Sequence, residues 1–568
     1  MNVIERRLRE FVEGTVLARP LRRIVRVFRP GWYRERRALA QMHAAFLGSH
    51  AARIQSELAA LPTTRRALVV GYVNPKLAAF QAPLIFALRS AGFHVTVPMP
   101  MAHDAAARFY RTLGANTILA TEDLTRPIDR RVIRSLRDAA RDPERLIALT
   151  YRNVPIGRFV ASTLMRQRRI GSVDPRMSDL DTALTDCIAA SVRAVDLAEA
   201  MVSRSRPELV CFYDRGYTPD GELFEVALAG GAKALTLNAA HRSGFVMSKR
   251  YHPGNKDRHF GAPSAATWNA LQSMSWTAAH WQALRTEVES SYQSGTWYDE
   301  VGTQFGKTEL AGEALLTSLG LDPTRKTVVV FPHLFWDATF FWGDDLFADY
   351  RDWFCQVLRA AAANQRLNWI VKLHPASVVK DRRDGYSGEP AEMIAMRETL
   401  GILPRHIAFL PPDSPISTLS LYRIVDYCLT VRGTVGIEAA MYGIPVLTAG
   451  TGRYDGYGFT IDTNSRDVYL ARLATLETVP PLTKAQIETA RRYAYGLFML
   501  RPLQLQTMRF HYRQDASATL DLALGLPGDR TIRDMADIAC LAKWLAGEED
   551  DLVVKSIEDG PAKQSQLD

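Results

Sequence analysis

Cysteine is scarce in this sequence, and the cysteines that occur are widely spaced. Five are present in 568 residues, with no CxxC pair and no Cys/His spacing typical of zinc ligands. An odd number of isolated cysteines argues against a disulfide framework and against a structural metal site. We therefore expect a protein of a reducing compartment, located in the cytoplasm. Separately, we expect that it needs no metal and no cofactor.

Long apolar runs and low-complexity segments are also missing. No uninterrupted hydrophobic stretch reaches the roughly 20 residues that span a bilayer. The basic N-terminus is not followed by the apolar core and small-residue cleavage site of a signal peptide. With 47% hydrophobic and 23% charged residues, the chain has the composition of a globular protein long enough for two or more domains.

Positive charge is in excess, with a formal net charge of +9. Such a charge suits an anionic partner: a nucleotide-activated substrate, an acidic glycan, a membrane surface or a nucleic acid. The first forty residues mix arginines with an apolar face at Ile24, Val25, Val27 and Phe28. This pattern is typical of a helix lying on the inner face of the cytoplasmic membrane, and equally of a helix packed on its own domain. Elsewhere the basic residues form no stripe with interleaved aromatics, so a nucleic-acid partner is not expected.

Short apolar strands alternate with helical stretches along most of the chain. The segment RALVVGYVNPKLAAFQAPLIFALRSAGFHVTVPMP predicts a strand, a helix and a second strand, and a similar series begins at Lys326. This alternation predicts parallel sheets covered by helices. The predicted fold class is α/β, with two Rossmann-like domains facing a cleft. The predicted segments are a basic helical N-terminal extension (1–60), a first Rossmann-like domain (61–265), an interdomain helical segment (266–324), a second Rossmann-like domain (325–502), C-terminal helices (503–548) and a flexible tail (549–568).

Polar side chains follow three predicted strands of the second domain. His333 and Asp337 follow the first strand, Lys372 and His374 the second, and Gly433 and Thr434 the third, where they open a helix. The free N–H groups and positive dipole of a helix N-terminus attract anions, and the carboxyl ends of parallel strands meet at one edge of a sheet. The sequence therefore predicts a phosphate pocket. Ser414 and Pro415 are predicted to cap and begin the helix before the last of these strands.

The motifs VKLHPAS, VRGTVGIEAAMYGIPVLTAG and RYDGYGFT resemble the C-terminal domain of the bacterial capsule polysaccharide biosynthesis family. That family comprises glycosyltransferases of GT-B fold, among them β-Kdo transferases. The histidine–proline motif is also similar to that of bacterial sialyltransferases and teichoic-acid glycerophosphotransferases, which use CMP- or CDP-activated donors. The resemblance covers about Lys326 to Pro502. It implies a first domain for the acceptor and a second for the nucleotide donor.

The resemblance also implies roles for individual residues. His374 would contact the cytidine phosphate, Gly433 and Thr434 would present the helix N-terminus to it, and Glu438 would face the ribose. Arg432 departs from the pattern, since a serine or threonine commonly precedes the glycine. The complete set of predicted donor-binding residues is His333, Asp337, Lys372, His374, Pro375, Arg432, Gly433, Thr434, Glu438, Tyr454 and Tyr457.

Catalytic candidates come from the first domain and from the phosphate pocket. A base that deprotonates the acceptor hydroxyl needs a carboxylate or a histidine near the cleft. Asp214 and Asp220 follow a predicted strand, and each is also a common turn residue. His241 follows the next strand, and His374 completes the set of catalytic candidates.

The predicted function is transfer of a sugar, such as Kdo or another ulosonic acid from a CMP donor, to a surface polysaccharide or lipid-linked glycan. Three alternatives stay open: a CDP-glycerol or CDP-ribitol phosphotransferase of the teichoic-acid type, a non-catalytic glycan-assembly protein of the same fold, and a nucleotide-sugar epimerase. The phosphotransferase keeps the phosphate pocket and moves a different group, the assembly protein binds a nucleotide without turnover, and the epimerase shares the two-domain shape.

Overall fold

Two parallel β-sheets, each covered by helices, form the framework of the protein. The computed structural model describes residues 30–100, 103–301, 304, 306–310, 312–337, 339–513 and 519–555. The apolar face predicted at residues 24–28 lies outside them. Within the described residues, no helix combines the length and the apolar character required to cross a membrane.

The first sheet contains seven described strands in the order β13-β6-β5-β4-β1-β2-β3. Strands β1 to β5 are parallel. At one edge, β6 pairs antiparallel with β5, and β13 pairs antiparallel with β6. The chain order reverses between β1 and β4, which is where open α/β sheets bind ligands. The strands are β1 (Arg65–Val69), β2 (Phe93–Met99), β3 (Thr117–Ala120), β4 (Leu209–Phe212), β5 (Lys233–Ala239), β6 (Phe245–Tyr251) and β13 (Leu503–Gln504).

Helices cover this sheet, and four of them form an insertion between β3 and β4. The long helix α9 packs against α6 and α8 of the insertion and against α10. The helices are α1 (Pro30–Leu47), α2 (Ala51–Ala59), α3 (Pro75–Phe80), α4 (Ala82–Ser90), α5 (Asp104–Thr112), α6 (Arg130–Ala139), α7 (Pro143–Ile147), α8 (Ile156–Arg168), α9 (Asp181–Ser205) and α10 (Asp220–Ala229), with 3-10 turns at Gly48–His50 and Thr121–Asp123.

The second sheet contains six described strands in the order β12-β11-β10-β7-β8-β9, all parallel. Its order reverses between β7 and β10. The strands are fully buried apolar runs because helices cover both faces. The elements are β7 (Thr327–Val330), α14 (Tyr350–Ala363), β8 (Asn368–Lys372), α15 (Ala376–Asp384), α16 (Ala391–Leu400), β9 (Ile407–Leu410), α17 (Thr418–Leu421), β10 (Tyr427–Thr430), α18 (Thr434–Met441), β11 (Val446–Thr448), β12 (Ile461–Asp462), α19 (Arg466–Ala474), α20 (Lys484–Tyr495), a 3-10 turn (Leu476–Thr478) and a π-helix (Gly496–Leu500).

The predicted fold class is thus confirmed: two Rossmann-like α/β domains, each built on a mainly parallel sheet covered by helices. In the chain, the two sheets are joined by the segment between β6 and β7, here called the linking segment, which includes the residues 266–324 that are predicted as helical. It contains α11 (Ala265–Ser273), α12 (Ala278–Gln293), a 3-10 turn (Asp299–Val301) and α13 (Gly312–Ser318). Their apolar side chains share one core with α18 and α20. The linking segment is consequently part of the second domain's packing.

One predicted helix start is wrong. Ser417, not Ser414, caps α17, because its hydroxyl oxygen accepts the N–H of Leu419 at 3.3 Å. The carbonyl oxygen of Pro415 instead accepts the N–H of Thr308 at 2.7 Å. The Ser-Pro pair is therefore held in an extended bridge to the linking segment and does not begin a helix.

The C-terminal segment differs from the predicted helices and loose tail. It contains the hairpin β14 (Met508–Tyr512) and β15 (Leu520–Leu524), a 3-10 turn (Ile532–Asp534) and α21 (Ala536–Ala546). Alternate residues of β14 are buried, the two-residue period of a half-buried strand that the sequence interpretation missed. Helix α21 packs on α4, so the chain returns to complete the first domain.

The start of the predicted tail is anchored by Asp551, which is buried. Its carboxylate lies 2.8 Å from Lys249 Nζ and 3.1 Å from Arg501 Nη2, and it accepts the N–H of Ser264 at 2.6 Å. These partners belong to β6, to the segment after the π-helix and to the start of the linking segment. Asp551 thus holds the start of the tail at the junction between the two domains.

Candidate functional site

A cavity of about 210 Å³ lies at the point where the strand order of the second sheet reverses. It is bounded by the loops after β7, β8 and β10, by the N-terminus of α18 and by the linking segment. Seven predicted donor-binding residues line it together: His333, Lys372, His374, Pro375, Gly433, Thr434 and Glu438. The residues at these separate strand ends thus line one cavity, and phosphate binding there stays a prediction.

Lys372, the last residue of β8, brings a buried ammonium group to this cavity. The residue is 3% exposed, and no described residue lies within hydrogen-bond distance of its Nζ. Burial, together with the nearby Lys307, lowers the pKa of Lys372 to about 7. An unpartnered buried charge is costly, so proteins keep one where a ligand supplies the counter-charge. Lys372 is therefore suited to an anion.

His374 presents a neutral ring to the same cavity. Its Nδ1 accepts the N–H of Ala376 at 3.1 Å, which places the ring proton on Nε2. Burial, with Lys380 nearby, lowers the pKa of His374 to about 4. At neutral pH the ring is thus an uncharged donor for an oxygen in the cavity.

His333 is fixed in a similar way after β7. Its ring stacks on Tyr350 with centroids 4.5 Å apart, and its Nε2 accepts the N–H of Arg432 at 3.2 Å. Burial and the neighbouring Arg432 hold the pKa of His333 well below its usual range. The imidazole is therefore neutral, and it joins the loop after β7 to the loop after β10.

The N-terminus of α18 points its first N–H groups into the cavity, with Gly433 as N-cap. Arg453 adds a guanidinium group there: its Nη2 donates to Thr434 Oγ1 at 2.7 Å, and its Nη1 donates to the Arg432 carbonyl at 3.2 Å. The sequence interpretation missed Arg453. Its place in the glycine-rich loop GTGRYDGYG, directly before the predicted Tyr454, was the available signal.

The two predicted tyrosines of that loop lie outside the cavity lining. Tyr454 is fully buried beneath α18, and its hydroxyl donates to the Gly433 carbonyl at 2.9 Å. A β-carbon at Gly436 would lie 2.3 Å from the Tyr454 hydroxyl, so glycine is required for this close packing. Tyr457 donates to the Pro263 carbonyl at 3.0 Å. Both rings support the loop that carries Arg453.

Arg432 and Asp337 also point elsewhere. Arg432 is buried and forms an ion pair with Asp345, so its charge is already neutralised. Asp337 accepts the hydroxyl of Tyr217 from the first domain at 2.7 Å and pairs with Lys380. Although burial opposes ionisation, Lys380 holds the pKa of Asp337 well below its usual range. Asp337 thus links the two domains.

Glu438 reaches the cavity but is 2% exposed, so it is not a solvent-facing helix residue. It accepts hydrogen bonds from Tyr292, from the Tyr422 hydroxyl at 3.1 Å and from Trp297 Nε1 at 3.3 Å. Burial raises the pKa of Glu438. The predicted contact with a ribose stays a prediction, and the structure adds that two residues of the linking segment orient this carboxyl.

A larger cleft of about 570 Å³ separates the two domains. On the first-domain side, Asp214 and Asp220 follow β4, next to Arg166 of α8; Asp384 and Tyr386 face them from the second domain. Asp214 is 42% exposed in its side chain and lies 3.7 Å from Arg166 Nη1. It also accepts the N–H groups of Arg215 and Gly216 at 2.7 and 3.2 Å, so it does shape the turn.

Asp220 has an unusual environment in this cleft. It is the first residue of α10, and its Oδ2 accepts the hydroxyl of Tyr72, which follows β1, at 3.2 Å. Burial, together with the charge of Asp214, raises the pKa of Asp220 to about 7. Tyr72 and Asp220 stand at the reversal of strand order between β1 and β4. The first domain therefore offers a carboxyl group suited to proton transfer near neutral pH.

His241, the third predicted base, lines neither cavity. It is 3% exposed, and its Nε2 lies 2.8 Å from Glu287 of α12. Its ring packs against Trp297 and Phe498, with centroids 5.3 and 5.5 Å away. In the structure His241 joins β5 to the linking segment.

The aromatic run after β7 packs mainly between the domains. Trp336 lies under the guanidinium of Arg169, 3.6 Å from ring centroid to Cζ. Phe341 covers Gly216, where a β-carbon would lie 1.9 Å from the ring. These contacts hold the walls of the cleft together.

Comparisons with known proteins agree with these motifs. The sequence model of a family described as capsule polysaccharide biosynthesis protein matches residues 314–488. A comparison with curated proteins found no match. Among solved structures, the β-Kdo 2,4 transferase of Thermosulfurimonas dismutans KpsC is 13% identical, covering 53% of this chain and 82% of that one at a TM-score of 0.32.

Two further solved structures match at similarly low sequence identity. The β-Kdo 2,7 transferase of the same KpsC is 12% identical, covering 57% of this chain and 85% of that one at a TM-score of 0.32. The UDP-GlcNAc 2-epimerase of Neisseria meningitidis is 11% identical, covering 76% and 96% at a TM-score of 0.26. The family match covers residues 314–488, the part of the chain that carries most of the second domain.

Proposed function

We propose that the protein is a glycosyltransferase of capsule polysaccharide synthesis, which moves a sugar from a CMP-linked donor, such as CMP-Kdo or another ulosonic acid, to a polysaccharide or lipid-linked acceptor. The observation that carries the proposal is the unpartnered, buried ammonium of Lys372 in a cavity at a helix N-terminus. Arg453 and the neutral donor His374 line the same cavity. This set is suited to the charge of a departing phosphate.

The cavity is smaller than the roughly 300 Å³ or more of typical ligand pockets. In our proposal it takes the phosphate and part of the nucleoside, while the sugar extends into the interdomain cleft. There Asp220 removes the proton of the acceptor hydroxyl. The hydroxyl oxygen bonds to the anomeric carbon, the bond from that carbon to the phosphate oxygen breaks, and Lys372 and His374 stabilise the CMP that leaves. The prediction that no metal is needed stays a prediction.

A donor panel tests this function. The purified protein is incubated with CMP-Kdo, CDP-glycerol and a UDP-sugar, each with and without an acceptor glycan, and the products are identified by mass spectrometry. We expect CMP release from CMP-Kdo together with a heavier acceptor. CMP release from CDP-glycerol would favour the phosphotransferase instead, and an altered sugar without an acceptor would favour an epimerase. Nucleotide binding without turnover of any donor would contradict an enzymatic role.

Asp220→Asn tests the proposed base. The amide cannot accept a proton, so we expect kcat to fall by about 10²- to 10⁴-fold with little change in the KM for the donor. The wild-type rate should rise with pH up to about 7, as Asp220 loses its proton, and this rise should vanish in the variant. Asp214→Asn is the matched control from the same loop. If Asp214→Asn shows the larger loss, Asp214 is the base.

Donor binding is expected to depend on pH through Lys372. Its pKa of about 7 in the free protein means that the amine is mostly neutral at pH 9. A bound phosphate dianion favours the ammonium form, so binding takes up a proton and affinity falls toward tenfold per pH unit above pH 7. Calorimetry of CMP binding between pH 7 and 9 measures this, and Lys372→Met serves as the comparison. An equal pH dependence in both proteins would assign it to another group.

A further inference from the structure

The outer face of α6, in the helical insertion of the first domain, is strongly basic. Residues 126–141 contain six arginines and two aspartates, a net charge of +4. Arg137 is paired with Asp181 at 2.7 Å. The others, Arg126, Arg130, Arg131, Arg134 and Arg141, are exposed, and among the described residues no carboxylate lies within ion-pair distance of them. Like charges this close repel one another, and a bound anion would relieve that repulsion.

Three of these side chains surround a shallow depression of about 430 Å³. Arg131 and Arg134 come from α6, and Arg141 comes from the turn after it. Asp138 also lines the depression, and Asp129 caps α6 by accepting the N–H of Arg131 at 2.8 Å. The depression is therefore positive on balance and concave. Guanidinium groups can bind carboxylates through two parallel hydrogen bonds.

The apolar side of α6 is already occupied. Ile133 and Leu136 pack on the core that α8 and α9 share, and none of the large hydrophobic side chains exposed in the described chain belongs to α6. A helix that binds a bilayer surface presents exposed apolar residues below its cations. The face lacks that feature, and a concave site suits a chain of discrete charges better than a flat lipid surface.

We propose that this arginine face, formed by Arg126, Arg130, Arg131, Arg134 and Arg141, is a docking site for a carboxylated glycan outside the interdomain cleft. The inference rests on the proposed function, since the glycan held there is the acceptor polymer. Helices α6 and α8 pack on the same helix α9, and Arg166 of α8 lines the cleft. A glycan chain docked on α6 would therefore lie next to the helices that form the first-domain side of the cleft.

Several weak contacts must act together in such a site. One exposed ion pair contributes little because water and salt screen it. A polymer that engages several arginines at once gains affinity, because each further contact is intramolecular. The site therefore distinguishes an acidic polymer from a single acidic sugar, and binding must weaken as salt concentration rises.

The test uses the full chain and a fluorescent oligogalacturonate as a carboxylated probe, with a neutral dextran fragment of equal length as the reference. The variant combines Arg131→Gln, Arg134→Gln and Arg141→Gln, since glutamine keeps the helix propensity and removes the charge. The control combines Arg405→Gln, Arg472→Gln and Arg509→Gln, which are exposed arginines on other elements. Fluorescence anisotropy at several salt concentrations gives the affinities.

We expect the wild type to bind oligogalacturonate and not dextran. The first triple variant should lose about tenfold in affinity with a shallower salt dependence, and the control triple less than twofold. Equal affinity in the first variant and wild type overturns the proposal, and so does an equal loss in both triples. A loss of binding to phosphatidylserine vesicles with unchanged glycan binding would make the face a membrane contact.

CMP calorimetry on the same proteins separates this inference from the proposed donor site. If CMP binds the wild type and the first variant equally while glycan binding falls, both proposals stand. A different outcome is that CMP binds neither the wild type nor the variants while glycan binding still depends on the three arginines. That result would reject the proposed donor site and leave the arginine face as a glycan-binding surface.

Discussion

Lys372→Met is expected to lower kcat/KM for the nucleotide donor by about 10²- to 10³-fold, the loss typical of removing one preorganised charge-stabilising donor. Lys372 is 3% exposed, and its ammonium group has no hydrogen-bond partner among the residues that the structure describes. Methionine fills a similar volume without bringing a charge into the interior. Thermal stability should therefore stay the same or increase while activity is lost, because an uncompensated buried charge is costly.

Lys326→Met is the matched control for this variant. Lys326 stands before β7, at the opposite end of the same sheet, where its Nζ donates to the Tyr427 hydroxyl at 3.0 Å. It should keep wild-type rates. A Lys372→Met protein that is fully active would remove the phosphate pocket from the mechanism, whereas one that has lost its fold would show that the lysine is structural.

Asp551→Ala is expected to produce the largest loss of stability, about 3–5 kcal/mol, because it leaves the two cations Lys249 and Arg501 buried without their counter-charge. The site joins β6, the start of the linking segment and the segment after the π-helix, so the damage should spread to the junction between domains. Urea unfolding followed by tryptophan fluorescence measures the shift in the midpoint of unfolding.

Asp550→Ala is the control one residue earlier. Asp550 is partly exposed and accepts Asn255 Nδ2 at 3.0 Å, and its removal should cost about 1 kcal/mol or less. Equal midpoints for the two variants would contradict the buried ion cluster as the source of stability.

The same cluster sets an acid limit on the fold. Although burial opposes ionisation, Arg501 and Lys249 lower the pKa of Asp551 to about 2. An unfolded aspartate titrates near 3.9, so the folded protein gains stability from this group above about pH 4 and loses it as the pH falls toward 2. Asp551→Ala should lack this part of the acid sensitivity.

Local patterns were sufficient for most elements of the second domain. Its strands are short apolar runs and its helices have recognisable starts, such as Asp349, whose side chain caps α14. Glycine turns followed by a helix indicate an anion site by simple geometry, and Lys372, His374 and Thr434 do meet around one cavity. Where patterns were short or ambiguous the predictions failed, as at Ser414 and in the hairpin β14–β15.

The sequence alone therefore determined the α/β class, the two domains and the three strand ends that meet at the cavity, because strand and helix periodicity and turn chemistry act over a few residues. Only the tertiary structure decided which charged side chains remain free to bind a ligand in the cavity. Arg432 is neutralised by Asp345, Tyr454 and Tyr457 support a loop, and Arg453 enters the cavity in their place. Those outcomes depend on contacts between residues far apart in the chain, and burial acts on a charge only after the chain has folded around it.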